Sequence, residues 1–254
     1  MLTLAVESAQ KAGEILTHYF EMTGLERTVK DDKSFVTKAD TEAEEIIASA
    51  IKRAFPKHGI VGEEGTDHNP RAEYLWVVDP VDGTNNFVNG IPLFAVSIAV
   101  IKDGLPVVAV VYNPVTNSLY TAERGGGMEY NGKKTTVSNQ TADLGLVSFG
   151  PGGAEGKRLL NVAFTNASAR FKTKRYFGAT ALELAYLARG GTEAFVCLGL
   201  KKWDYAAGTL LVEEAGGTIT DLKGNPWTLE QNYFCASNSV VHDDLISLTA
   251  PLAL

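Results

Sequence analysis

A run of apolar residues, Leu75-Trp76-Val77-Val78, leads straight into Asp79-Pro80-Val81-Asp82-Gly83-Thr84-Asn85-Asn86-Phe87. The first part reads as a buried strand, since nothing in it is polar enough to face water. The second part reads as a turn, because Asp-Pro and Asp-Gly are ordinary turn formers. A turn requires only one acid. Two carboxylates crowded at a strand end repel each other, and a cation between them relieves that repulsion.

The rest of the chain has to supply a core around this strand. At 254 residues, with 45% hydrophobic and 21% charged, it is long enough for one large domain or two closely packed lobes. A net charge of -7 argues against a nucleic-acid binder. Cys197 and Cys235 are the only cysteines. They form neither a disulfide framework nor a CxxC pair, so a reducing cytoplasm is expected. The N-terminus lacks a basic region and meets Glu7 early, so no signal peptide is expected there. The apolar run from Ile91 to Ile101 is too short to span a bilayer, and no membrane association is expected.

Helical spacing marks residues 3–20, where Leu4, Ala5, Ala9, Ala12, Ile15 and Leu16 recur on one side. The polar stretch 21–33 reads as irregular. A second helix starts at Thr37-Lys38-Ala39-Asp40, a capping-box-like beginning with Thr37 as N-cap. Taken alone, Asp40 is a favourable acid in a first helical turn. Ile60-Val61 reads as a short strand before Gly62-Glu63-Glu64-Gly65, whose glycines admit close backbone approach. Strands at 95–101 and 105–112 flank the hairpin signal Lys102-Asp103-Gly104. Gly125-Gly126-Gly127 lacks the following Lys-Ser/Thr and helix of a phosphate loop, and reads as a turn. A strand is expected near 135–137. The second half offers helices at 156–168 and 181–189, a buried strand at 194–198, and a helix opening at Trp203-Asp204-Tyr205-Ala206-Ala207-Gly208. There Asp204 is a natural N-cap, and the small residues permit close packing. A strand at 233–237 and a helix at 243–249 end the chain. This irregular alternation implies layered sheets and helices rather than a barrel.

Asp40, Glu63, Asp79, Asp82 and Asp204 therefore stand at strand ends and helix starts. Carboxylates without histidine or cysteine suit a hard cation, chiefly Mg²⁺, and Mg²⁺ serves phosphate chemistry.

The segments Asp79 to Phe87 and Trp203 to Gly208 resemble the paired signatures of the inositol monophosphatase family. Gly62-Glu63-Glu64 and Val36 to Asp40 match two further family motifs in the right order, so the resemblance covers roughly Ala5 to Val241. It implies an α+β fold, the layered αβαβα sandwich of the inositol monophosphatase and fructose-1,6-bisphosphatase type. One domain would span 1–254, with lobes of about 1–140 and 141–254. It further implies a homodimer and lithium-sensitive, Mg²⁺-dependent hydrolysis of a small phosphomonoester. Carried over, Glu63, Asp79, the carbonyl of Val81, Asp82 and Asp204 would hold two or three Mg²⁺. Thr84 and Asp40 would orient and deprotonate the attacking water. Asp82, Gly83, Thr84 and Asn85 would meet the substrate's phosphate end, with backbone N–H groups of Gly83 and Thr84 on the phosphate. Glu64 and Lys30 would support the metal ligands from behind. Asp82→Asn is expected to abolish turnover in a protein that still folds.

Substrate choice falls on another region. Gly178 and Thr180 occupy family positions that contact the substrate ring. Cys197 stands where animal members carry a glutamate that binds an inositol hydroxyl, and a thiol is a poor partner for a hydroxyl. Lys201 or Lys202, if turned inward, would favour a substrate with an extra negative group. The leading expectation is inositol-1-phosphate. Fructose-1,6-bisphosphate, histidinol phosphate and an adenosine 3′,5′-bisphosphate-like substrate are the alternatives within the class. A regulatory binding protein that keeps the fold is the alternative outside it.

Overall fold

A computed structural model describes residues 1–20, 27–29 and 35–252. The elements up to the acid-bearing strand are α1 (Leu2–Phe20), β1 (Arg27–Val29), β2 (Phe35–Thr37), α2 (Lys38–Ala54), β3 (Gly59–Gly62), β4 (Asp67–His68) and β5 (Tyr74–Asp82). There follow α3 (Thr84–Val88), β6 (Ala95–Lys102), β7 (Leu105–Asn113), β8 (Ser118–Glu123), β9 (Gly127–Tyr130) and β10 (Lys133–Lys134). The second half has β11 (Leu146–Pro151), α4 (Gly153–Ala167), β12 (Thr173–Arg175), α5 (Thr180–Ala188), β13 (Ala194–Leu198), α6 (Lys202–Glu214), β14 (Thr218–Thr220), β15 (Tyr233–Ser237) and α7 (His242–Thr249).

Strands β3 to β10 make one mixed sheet, in the order β10-β9-β8-β7-β6-β5-β3-β4. Strands β11 to β15 make a second, ordered β12-β11-β13-β15-β14. β5 runs parallel to β3 and antiparallel to β6. Its two faces are both covered, which is why its sequence is a continuous apolar run rather than an alternation. Trp76 and Val78 pack with Ala5, Ala9, Leu16, Ala43 and Ile47 of α1 and α2. Val77 packs on the opposite side, with the apolar residues of α5 and α6. Those two helices also meet Phe195 and Phe234 of the second sheet, whose far face carries Leu159 and Ala163 of α4 and Leu245 and Leu248 of α7. The layers therefore run αβαβα, the expected α+β sandwich.

The small residues expected to bring α6 close to a neighbour do so against α5. A Cβ on Gly208 would lie 2.5 Å from the Cβ of Leu184. The expected hairpin between β6 and β7 turns on Asp103 and Gly104, with φ of 50° and 77°, the left-handed pair that a two-residue hairpin requires. Gly125-Gly126-Gly127 is a turn, gripped by the Glu214 carboxylate through the N–H groups of Gly125 and Gly127 at 2.8 Å each.

Four local expectations are corrected. Residues 27–29, read as irregular, pair antiparallel with 35–37. The polar loop after Gly65 contains the short strand β4, which pairs with β3. Residues 135–137 are not a strand; pairing ends at Lys134, and Val137 instead donates its N–H to the Ala215 carbonyl at 3.1 Å. Asp79-Pro80 is not a turn. The strand continues to Asp82 with a register shift between Asp79 and Asp82, a bulge that accommodates a proline with no N–H to give. No helix among the described residues is long and apolar enough to cross a membrane.

Candidate active site

The bulge in β5 determines where its acids point. Asp79 is 1% exposed, and its Oδ1 accepts the N–H of Val81 at 3.0 Å. Asp82 ends the strand and reaches the other half of the molecule. Its Oδ1 accepts the Thr180 N–H at 2.9 Å and its Oδ2 the Ala181 N–H at 2.7 Å. A carboxylate on the first amides of α5 is stabilised by free donors and by the helix dipole. Gly83 then turns the chain at φ 92°, a left-handed conformation that a side chain would strain. Thr84 opens α3; its hydroxyl donates to the Val81 carbonyl at 3.0 Å and lies 3.4 Å from Oδ1 of Asp40.

Asp40 comes to this point through its helix cap. Thr37 is the N-cap of α2, and Asp40 closes the capping box. The Thr37 N–H and hydroxyl both donate to Asp40 Oδ2, at 2.9 and 2.5 Å. Burial holds the Asp40 carboxyl up at about 6, against the opposing pull of the Thr37 hydrogen bonds. The cap is therefore real, and it leaves the second oxygen of Asp40 facing Thr84.

Two more acids complete the group. Glu63 follows β3, its N–H bonded to the Val78 carbonyl at 3.1 Å. Asp204, expected as the N-cap of α6, is instead its third residue; Lys201 is the N-cap, and Asp204 accepts its N–H at 2.8 Å. Ser97 of β6 anchors that turn by donating to the Trp203 carbonyl at 3.2 Å. Burial raises Asp79, and the negative charges of Glu63, Asp82 and Asp204 raise it further. Asp204 is likewise held well above the usual carboxylate range by burial and then by Asp82 and Glu63. Asp82 is raised by burial, while the amides of α5 oppose the shift. Four acids from three separate elements thus lie within each other's fields. Among the described residues no three of them stand as a closed metal-ligand cluster; they meet as mutually repelling carboxyls.

Of the remaining candidates, Gly178, at φ 71°, and Thr180 form the turn onto Asp82. Asn85 is on the exposed side of α3 and accepts from Asn89 Nδ2. The Glu64 backbone N–H is bound by Glu44 at 2.8 Å. Lys201 is exposed at the start of α6, and Lys202 pairs with Glu230 at 2.6 Å. Cys197 stands apart. It is 0% exposed and its thiol donates to the Asn232 carbonyl at 3.2 Å, so a substrate would reach it only by opening that core. Lys30 lies outside the described residues.

Two residues that hold the site together are given no role by the sequence motifs. Asn86 Nδ2 donates to the carbonyls of Leu93 at 2.7 Å and Phe177 at 2.8 Å. Glu183, 0% exposed, accepts the N–H groups of Phe177 and Gly178 at 3.2 and 3.1 Å. Burial pushes its carboxyl up to about 8. The 177–178 turn is therefore held from both sides. Glu183 had a visible signal: it is the one acid inside the apolar run Ala181 to Ala188.

The five layers and the acid-lined strand end match the architecture that the sequence motifs imply. The model of the inositol monophosphatase family matches residues 1–252, and the chain belongs to that family. It is 38% identical over 254 residues to an inositol-1-monophosphatase of Mesorhizobium japonicum, covering 97% of this chain and 94% of the relative. It is also 38% identical over 261 residues to the Nus factor SuhB of Pseudomonas aeruginosa, covering 99% and 96%. The crystal structure of the extragenic suppressor protein suhB from Bartonella henselae matches with a TM-score of 0.93 at 35% identity, covering 99% of this chain and 98% of that one.

Proposed function

We propose that this chain hydrolyses a small sugar or polyol phosphomonoester, nominally inositol-1-phosphate, with Mg²⁺. The observation behind this reading is the convergence of the buried Asp79 and Asp82 of β5 and of Asp204 of α6, carboxyls which with Glu63 raise one another, while Lys201 is the cation that opposes this at Asp204. An all-oxygen donor set with surplus negative charge fits a hard divalent cation. Glu63, Asp79, the Val81 carbonyl, Asp82 and Asp204 would hold two or three such ions. Mg²⁺ there would neutralise the phosphate, acidify water and stabilise the departing oxygen.

The chain's own residues supply the proton handling. Asp40, poised at about 6, is suited to accept a proton near neutral pH. Its Oδ2 is fixed by Thr37, so Oδ1 is left to act with Thr84 on a water within reach of both. The N–H groups of Gly83 and Thr84 would receive the phosphate, and Gly178 and Thr180 the substrate's ring. Thr84→Val keeps the shape and removes the hydroxyl. It should lower kcat by roughly 10²- to 10⁴-fold with an unchanged melting temperature, whereas Thr84→Ser should retain most activity. Steady-state kinetics at saturating Mg²⁺ would show this, and a fully active valine variant would remove Thr84 from the mechanism.

A second reading comes from the relatives named Nus factor SuhB: a regulator that keeps the fold and acts by binding another macromolecule. Phosphate release from a panel of inositol-1-phosphate, fructose-1,6-bisphosphate, histidinol phosphate and adenosine 3′,5′-bisphosphate separates the two. The enzymatic reading expects release that requires Mg²⁺ and is inhibited by lithium. Release from none of them would favour the regulator. Light scattering on the same preparation tests the homodimer that belongs to the proposal.

A further inference from the structure

Glu44 lies one helical turn beyond Asp40 on α2 and is 3% exposed. Both of its oxygens are engaged by the loop that carries Glu63. Oε2 accepts the Glu64 N–H at 2.8 Å, and Oε1 accepts the Thr66 N–H at 2.9 Å. The loop also closes on itself, with the Gly62 N–H donating to the Thr66 carbonyl at 2.8 Å. Hydrogen bonds from backbone amides to a carboxylate are charge-assisted and stronger than neutral ones. Inside a loop that contains Gly65 at φ 105°, they remove conformational freedom that glycine would otherwise keep.

Gly62 shows how close the fit is. It is the last residue of β3 and is not among the glycines with positive φ, so its backbone would accept any residue. Its surroundings would not. A Cβ there would stand 2.4 Å from Cδ and Oε2 of Glu44. Position 62 needs a glycine because the Glu44 carboxylate fills the space that a side chain would take.

We propose that Glu44 is a positioning residue that sets the affinity of the site for divalent cation by fixing the loop on either side of Glu63, with Gly62 as its steric counterpart. The inference rests on the reading of Glu63 as a cation ligand. Both Glu44 oxygens are taken by backbone N–H groups, so its effect on the cation would be indirect. A purely structural clamp would lower the melting temperature of the metal-free protein and leave cation affinity alone, so affinity is the measurement that decides.

The test uses EDTA-stripped full-length protein and Mg²⁺ as the probe, followed by calorimetric titration and by the Mg²⁺ dependence of the melting temperature. Glu44→Gln is isosteric but sets an NH₂ against one of the two amides. Gly62→Ala pushes the carboxylate away from the other side. Both should raise the half-saturating Mg²⁺ concentration roughly 10- to 100-fold, while KM for substrate at saturating Mg²⁺ stays unchanged. The double variant should be no worse than the weaker-binding single one, because both act through one contact. Glu45→Gln, on the exposed neighbour, should behave as wild type. If Glu44→Gln does not fold, Gly62→Ala carries the same comparison. Wild-type affinity in a folded Glu44→Gln or Gly62→Ala protein overturns the inference while the site reading stands. Absence of Mg²⁺ binding by the wild type overturns both.

Discussion

Replacing Asp79 by asparagine should lower phosphomonoester hydrolysis by at least ~10³-fold, about 4 kcal/mol of transition-state stabilisation, and yet raise the melting temperature of the metal-free protein at pH 8. The two effects have one cause. Asp79 is buried and in the fields of Glu63, Asp82 and Asp204, so its charge is a cost to the fold until a cation compensates it. Asparagine keeps the oxygen that accepts from Val81 and removes the charge. Residues placed for function are often unfavourable to stability in this way. Asp82→Asn is a less clean probe than the sequence alone implied. Both oxygens of Asp82 accept backbone N–H groups of α5, and an amide would turn a donor toward one of them, costing about 1–3 kcal/mol. Asp79→Asn should be assayed at saturating Mg²⁺ and melted in EDTA. Undiminished hydrolysis would remove Asp79 from the ligand set, and an unchanged melting temperature would remove the repulsion argument.

The metal-free protein should also lose stability as pH rises from about 4 to 8, the reverse of what salt-bridged carboxylates produce. The sign follows from the direction of the shifts. Asp40 is held up at about 6 and Glu183 at about 8, each raised chiefly by burial, whereas unfolded carboxyls titrate near 4. Between those values the folded chain binds more protons than the unfolded one, so raising pH favours unfolding. The stabilisation is fully present below about 4 and is lost as pH passes through the folded values. Asp40 alone, at about 6 against an ordinary 3.8, accounts for about 3 kcal/mol, or roughly 6–12 °C in melting temperature for a chain of this size. Mg²⁺ should recover the loss at pH 8, since a ligand of the folded state stabilises it. Calorimetry in EDTA at pH 5, 6.5 and 8, then with Mg²⁺ at pH 8, checks both statements. A flat or rising profile in EDTA would contradict the burial of these groups.

What the sequence made legible was local. Thr37 and Asp40 are three positions apart and form their capping box as read. Asp79, Asp82, Gly83 and Thr84 fall within six consecutive positions, so a single strand end displays them together. The layered fold was legible in the irregular alternation of strands and helices and in the family motifs, and the unbroken apolar run of β5 fits a strand covered on both faces. What was not legible depends on contacts distant in sequence. Asp82 binds amides 98 and 99 positions further on, and no spacing rule announces that. Glu44 is one of three acids, Glu42, Glu44 and Glu45, that no sequence motif singles out. Its clue was the stripe Asp40, Ala43, Glu44, Ile47, Ile51 on the buried face of α2, where an acid without a partner would be expensive. Cys197 sits where a family comparison expects a substrate contact, but its rotamer and neighbours, and not its position in the chain, turn the thiol to Asn232.

The bond from Asp82 to α5 has a consequence for how this architecture diversifies. Under the proposed function one carboxylate would serve the chemistry from the end of β5 while it anchors the start of α5. An insertion or deletion that shifted the amides of Thr180 and Ala181 would disturb the chemistry at once, so lineages that alter the 176–180 segment must keep its backbone path. On that reading, selection for new substrates would work by swapping side chains along a fixed track. Large differences in specificity would then accumulate with little change in the course of the chain.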